Sequence, residues 1–93
     1  MARNAFLITI VGEVQGVGFR AFIRQKAKRL GLEGWVRNRS DGTVEALVLG
    51  APELVDELIE ACGKGPALAK IQEINFRGAR DDGSKGFTEG LTI

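Results

Sequence analysis

The sequence predicts an α+β domain, a two-layer α/β sandwich in which two helices cover one face of a single sheet. Two observations carry the prediction. Stretches rich in β-branched residues alternate with stretches that repeat apolar residues every three or four positions, in the order strand, helix, strand, strand, helix, strand. Glycine and proline fall mostly between those stretches or at their ends. No linker divides the 93 residues and no period repeats, so a single domain over 1–93 is expected.

Each element follows from local chemistry. Phe6 to Val11 is an apolar, β-branched run ending at Gly12, the pattern of a central strand covered to some degree on both faces. A glycine-punctuated loop follows, Glu13-Val14-Gln15-Gly16-Val17-Gly18. Phe19, Ile23, Ala27 and Leu30 then recur at helical spacing with Arg and Lys between them, predicting an amphipathic helix over 19–30 capped by Gly31. Gly34 to Asn38 and Thr43 to Leu49 read as strands, and Asp41-Gly42 between them is a hairpin signal. Pro52 suits the first turn of a second helix, whose apolar face is Leu54, Val55, Leu58, Ile59 and Cys62 and whose end is marked by Gly63, Gly65 and Pro66. Ala67 to Phe76 reads as the fourth strand, 81–84 as a polar loop, and Gly86 to Ile93 as a possible short extra C-terminal strand. This βαββαβ order is that of the ferredoxin-like sandwich.

Composition excludes several chemistries. There is no histidine and no tyrosine, which removes Ser-His-Asp and Cys-His catalysis and histidine metal sites. One cysteine without histidine rules out a structural zinc, so no metal and no cofactor are expected. Cys62 cannot form an internal disulfide, which favours a reducing, cytoplasmic compartment, and it is expected to be a core thiol. No apolar run reaches the roughly 18 residues of a membrane span, and Met1-Ala2-Arg3-Asn4 has no signal-peptide architecture. The net charge of +1 hides an asymmetry, for residues 1–40 carry +6 and residues 41–93 carry −5. Either two solvated faces cancel, or the first forty residues build an anion site.

The loop Gln15-Gly16-Val17-Gly18-Phe19-Arg20 joins a strand to a helix N-terminus. Successive main-chain N–H groups there can wrap an anion, and glycine lets the backbone approach it. Arg20 adds a permanent charge and a fork of donors matched to phosphate oxygens. The loop lacks the Lys-Ser or Lys-Thr of a Walker loop and the third glycine of a dinucleotide fingerprint, so as a bare pattern it is either an anion cradle or a tight turn before a basic helix. Asn38 is likewise either a turn residue or an amide able to bond water and anion without changing charge.

Taken together, Gly16-Val17-Gly18-Phe19-Arg20 and the stretch from Gly34 to Glu45, Gly-Trp-Val-Arg-Asn-Arg-Ser-Asp-Gly-Thr-Val-Glu, closely resemble the two signature stretches of acylphosphatases. Leu30-Gly31-Leu32 and Gly65-Pro66 are similar to that family as well, and the resemblance covers roughly residues 6–76. It implies a ferredoxin-like hydrolase that cleaves the carboxyl–phosphate bond of small acyl phosphates. The residue matching the phosphoryl-binding arginine is Arg20, the residue matching the water-orienting asparagine is Asn38, and the phosphate-holding loop maps onto Gln15, Gly16, Val17, Gly18 and Phe19 with Arg20. Inorganic phosphate is then product and inhibitor.

The composition fits such chemistry, because an acyl phosphate expels a carboxylate whose pKa near roughly 4 lets it leave unprotonated at neutral pH. No general acid is needed; what remains is orienting water and neutralising phosphoryl oxygens. The substrate phosphate is the expected base, and Glu13 is not assigned. An RNA-recognition role has the right element order, but 43–49 carries no aromatic residue and Phe6 stands alone on the first strand, so no nucleic acid partner is expected. An anion sensor without turnover shares the same cradle, and only kinetics separates it from the enzyme. A role inside a larger enzyme is disfavoured by the length, and a monomer is expected.

Overall fold

In a computed structural model that describes residues 3–93, the chain forms β1 (Asn4–Glu13), α1 (Phe19–Arg29), β2 (Glu33–Asn38), β3 (Val44–Gly50), α2 (Pro52–Lys64), β4 (Lys70–Gly78) and β5 (Phe87–Glu89). One five-stranded sheet has the order β4-β1-β3-β2-β5. All neighbours are antiparallel except β2 and β5, which run parallel. The expected sandwich is therefore present, with β1 between β3 and β4 and a short fifth strand added at the β2 edge.

Strand alternation sorts the side chains. Ile8, Ile10, Val36, Val44, Ala46 and Val48 face the helices and pack with Phe19, Ile23, Ala27, Val55, Leu58 and Cys62 in one core. Cys62 is buried there as expected, and loss of water pushes its thiol up to about 12. Phe87 of β5 joins the same core. The opposite face buries Ala5, Leu47 and Leu49 with help from Leu7 and Trp35.

Several boundaries differ from the sequence expectation. Helix α1 ends as predicted: Gly31 adopts φ 71°, its N–H donates to the Lys28 carbonyl, and the Leu32 N–H donates to the Ala27 carbonyl. Helix α2 ends within the expected Gly63–Pro66 stretch: it runs through Gly63 to Lys64, and Gly65 takes a φ of 60°. Ala67–Ala69 turn rather than extend, with Ala69 N–H bonded to the Pro66 carbonyl, and the strand begins at Lys70 and continues to Gly78. Strand β1 is longer at both ends than Phe6–Val11, because its partners β3 and β4 extend the ladder to Asn4 and Glu13.

The segment between β4 and β5 crosses from one sheet edge to the other and is clasped on the way. Ala79 N–H bonds to the Ala5 carbonyl, Arg3 pairs with Asp81 and Glu33 and donates to the Ser84 carbonyl, and Trp35 Nε1 donates to Asp82. Glu33 also accepts the Gly86 N–H, so the clasp delivers β5 to β2. No helix among the described residues is long and apolar enough to cross a membrane.

Candidate active site

The loop after β1 is pinned at both ends by buried apolar side chains, Val14 and Phe19, each 1% exposed. Between them Gly16 and Gly18 take φ values of 73° and 79°. A Cβ at either would meet no atom within 4 Å, so glycine serves the backbone conformation here and not the space. Helix α1 starts at the next residue, and the Gly18 carbonyl accepts the Phe22 N–H at 3.0 Å. No side chain caps this helix and its first turn has no acid. In consequence, none of the backbone N–H groups from Gln15 to Ala21 donates to an acceptor among the described residues. Arg20 stands in that first turn, half-buried, with no ion-pair partner among the described residues. One turn on, Arg24 Nε lies 3.2 Å from Glu89 on β5.

Asn38 is the last residue of β2 and pairs with Val44. Two positions beyond the buried Val36, it belongs to the helix-covered face, on which α1 packs. Its carboxamide makes no hydrogen bond to any described residue, while its backbone carbonyl accepts the Ile93 N–H at 3.2 Å. The turn that follows is tightly bonded. Arg39 N–H donates to the Thr43 carbonyl at 2.9 Å and Gly42 N–H to the Arg39 carbonyl at 3.0 Å. Asp41 accepts both the hydroxyl and the N–H of Thr43, and these bonds hold its carboxyl below the usual range.

Loop and turn are tied to each other by one side chain. Gln15 Nε2 donates to the Arg39 carbonyl at 2.7 Å and to the Thr43 carbonyl at 2.9 Å. On the opposite sheet face Glu45, 3% exposed, accepts from Arg37 at 2.9 Å and from Arg39 at 2.8 Å, the residues on either side of Asn38. Arg37 in turn stacks 4.3 Å from the centre of the Trp35 ring. The predicted loop and the predicted strand end thus share one end of the sheet, with Arg20 and Asn38 on its helix-covered side.

Sequence reasoning missed the Gln15 side-chain bonds and the buried Glu45. The first left no signal, since its acceptors are main-chain carbonyls more than twenty positions away. The second left one: a lone acid in an apolar strand, opposite a strand end reading Arg-Asn-Arg.

The glycine loop, with its unbonded N–H groups among the described residues, stands on a ferredoxin-like sandwich. The acylphosphatase family profile matches residues 6–89. An acylphosphatase of Acidiphilium cryptum (strain JF-5) is 47% identical over 85 residues, 91% of this chain and 93% of its own. The crystal structure of an acylphosphatase from Bacillus subtilis is 35% identical with a TM-score of 0.89, covering 94% of this chain and 98% of that one. The chain also superposes, at TM-score 0.90 and 34% identity over 97% of its length, on 12% of full-length HypF in a phosphate- and nucleotide-bound form. This chain belongs to the acylphosphatase family, and it is an acyl phosphate hydrolase.

Proposed function

We propose that the phosphoryl group of a small acyl phosphate lies in the loop Gln15, Gly16, Val17, Gly18, Phe19 and Arg20. The observation that carries this reading is the run of N–H groups from Gln15 to Ala21, at the head of a basic helix, that have no acceptor among the described residues. Those amides and the Arg20 guanidinium bond the phosphoryl oxygens and neutralise the charge that shifts onto them as the bond to the acyl oxygen breaks. The Asn38 carboxamide accepts a hydrogen bond from water and directs its oxygen at phosphorus, in line with the departing carboxylate. The water's proton passes to a phosphoryl oxygen of the substrate, the P–O bond to the acyl group breaks, and carboxylate and inorganic phosphate result. No protein acid is required, because a carboxylate leaves unprotonated.

Inorganic phosphate competes for the same loop. The reading needs no metal and no cofactor, no nucleic acid and no second subunit, and the free Cys62 thiol is in keeping with a cytoplasmic setting. The test is steady-state hydrolysis of benzoyl phosphate in EDTA by the wild type and Asn38→Ala. The wild type turns over with EDTA present, and Asn38→Ala loses on the order of a hundredfold in kcat while inorganic phosphate still inhibits it. A metal requirement, or an Asn38→Ala rate equal to wild type, would overturn the mechanism.

A further inference from the structure

Gln15 belongs to the loop through its backbone, but its side chain turns away to the β2–β3 hairpin. Both acceptors there are carbonyl oxygens, so the contacting atom must be the amide nitrogen, and both of its hydrogens are used. The two carbonyls are the gateposts of the turn that begins one residue after Asn38. We infer that the Gln15 carboxamide is a positioning residue, a strut that sets the distance between the phosphoryl-gripping loop and the Asn38 carboxamide. The inference rests on the roles proposed above for the loop and for Asn38.

Three observations distinguish a strut from ordinary support of the turn. First, neither carbonyl depends on Gln15: the Arg39 carbonyl also accepts Gly42 N–H, and the Thr43 carbonyl also accepts Arg39 N–H. The turn stays closed without the glutamine, and Asp41 bonds it a further time. Second, Val14 and Phe19 pin the ends of the loop to the core, but among the described residues the only hydrogen bonds that join the loop to the hairpin are the two from the Gln15 side chain. Third, the far side of the hairpin is held through Glu45, Arg37 and Arg39, so the Gln15 bonds set the loop against a fixed turn. In-line attack needs water and phosphorus aligned to a fraction of an ångström, and misplacement by about 1 Å costs on the order of a hundredfold. Losing the strut therefore disturbs the reaction more than the binding of phosphate, which stays with Arg20 and the amides.

The experiment is a double-mutant cycle of Gln15→Leu with Asn38→Ala, read in kcat for benzoyl phosphate and in inhibition by inorganic phosphate. Gln15→Leu keeps the bulk and removes the donors. It should lower kcat about tenfold to a hundredfold and leave the inhibition constant for phosphate within about threefold, and in the Asn38→Ala background it should change kcat by less than about twofold. Gln15→Glu supplies a second reading that does not rest on Leu being tolerated. Its carboxylate cannot donate, but its protonated form can, so its kcat relative to wild type at the same pH should recover in part as pH falls towards about 4. An undiminished kcat in Gln15→Leu, parallel losses of kcat and phosphate inhibition, or full additivity with Asn38→Ala would overturn the strut while leaving the proposed mechanism standing. A wild-type rate in Asn38→Ala alone would instead remove the mechanism and the strut with it.

Discussion

Glu45 reaches across the hairpin to Arg39, Oε2 lying 2.8 Å from Nη1, and so fastens the residue that follows Asn38 to the centre of the sheet. Its other oxygen does the same for Arg37, which precedes Asn38. A nearly buried carboxylate is tolerable in this position because two guanidinium groups donate to it. Both arginines remain partly exposed, which limits the cost of removing their partner. Glu45→Gln should lower stability by about 1–3 kcal/mol in urea unfolding, with a smaller loss in kcat than Asn38→Ala gives. An unchanged unfolding midpoint would show that the two ion pairs add nothing beyond what water supplies to the free groups.

Arg20 offers a direct check on the phosphoryl grip. Arg20→Gln should lower kcat/KM for benzoyl phosphate by on the order of 10²–10³ and abolish inhibition by millimolar inorganic phosphate. Arg20→Lys keeps the charge without the planar fork, and should fall between the two. Both variants should unfold at the wild-type midpoint, since Arg20 pairs with no described residue. Retained phosphate inhibition in Arg20→Gln would move the anion elsewhere.

Glycines of two kinds predict losses of very different size. A Cβ on Gly34 would lie 1.9 Å from the Leu47 carbonyl oxygen, with the backbone at φ 130°. Gly34→Ala should therefore cost about 4 kcal/mol or more, or prevent folding. A Cβ on Gly18 meets nothing within 4 Å and pays only the left-handed conformation at φ 79°, about 1–2 kcal/mol. Thermal unfolding of the pair should show a small loss for Gly18→Ala and a gross one for Gly34→Ala. Equal losses would contradict the steric account.

The clasp on the β4–β5 crossover should be sensitive to acid. Arg3 and the Gly83 N–H hold the Asp81 carboxyl at about 2, below its unfolded value near roughly 3.9. A depressed carboxyl contributes stability above its unfolded pKa and loses it as pH falls through the folded one. Wild type should therefore melt above Asp81→Asn at pH 7, with the gap closing between about pH 4 and 2. A gap that is the same at pH 7 and pH 2 would mean that the charge of Asp81 has no part in it. The pair is exposed, so the effect should be modest and should shrink in high salt.

Much of this molecule was legible before folding. The helical spacing of Phe19, Ile23, Ala27 and Leu30, and the Asp-Gly between two β-rich runs, are local signals, and local signals give element order. The roles proposed for Arg20 and Asn38 rest on the resemblance of two stretches to acylphosphatase signatures, and the fold adds that both stand at one end of the sheet. What stayed hidden depends on partners distant in sequence. Gln15 could not be assigned a strut without knowing which carbonyls it would face. The start of β4 at Lys70 follows from the β1 register and the Pro66–Ala69 turn, and not from any change of composition at that point. Gly63, Gly65 and Pro66 together mark the end of α2 in the sequence, but which of them ends it depends on backbone conformation: the helix runs through Gly63, and Gly65, two positions on, is the left-handed residue.

Strand β4 hydrogen-bonds to β1 alone, and its outward row of amides and carbonyls has no neighbour among the described residues. Most of its side chains are exposed, Phe76 at 57% included. This flank is therefore where the molecule begins to fray, admitting deuterium early while β1 and β3 at the sheet's centre exchange last. It is also a template for unwanted pairing, and Lys70, Glu73 and Arg77 spread along it act as gatekeepers that make stacking into fibrils unfavourable.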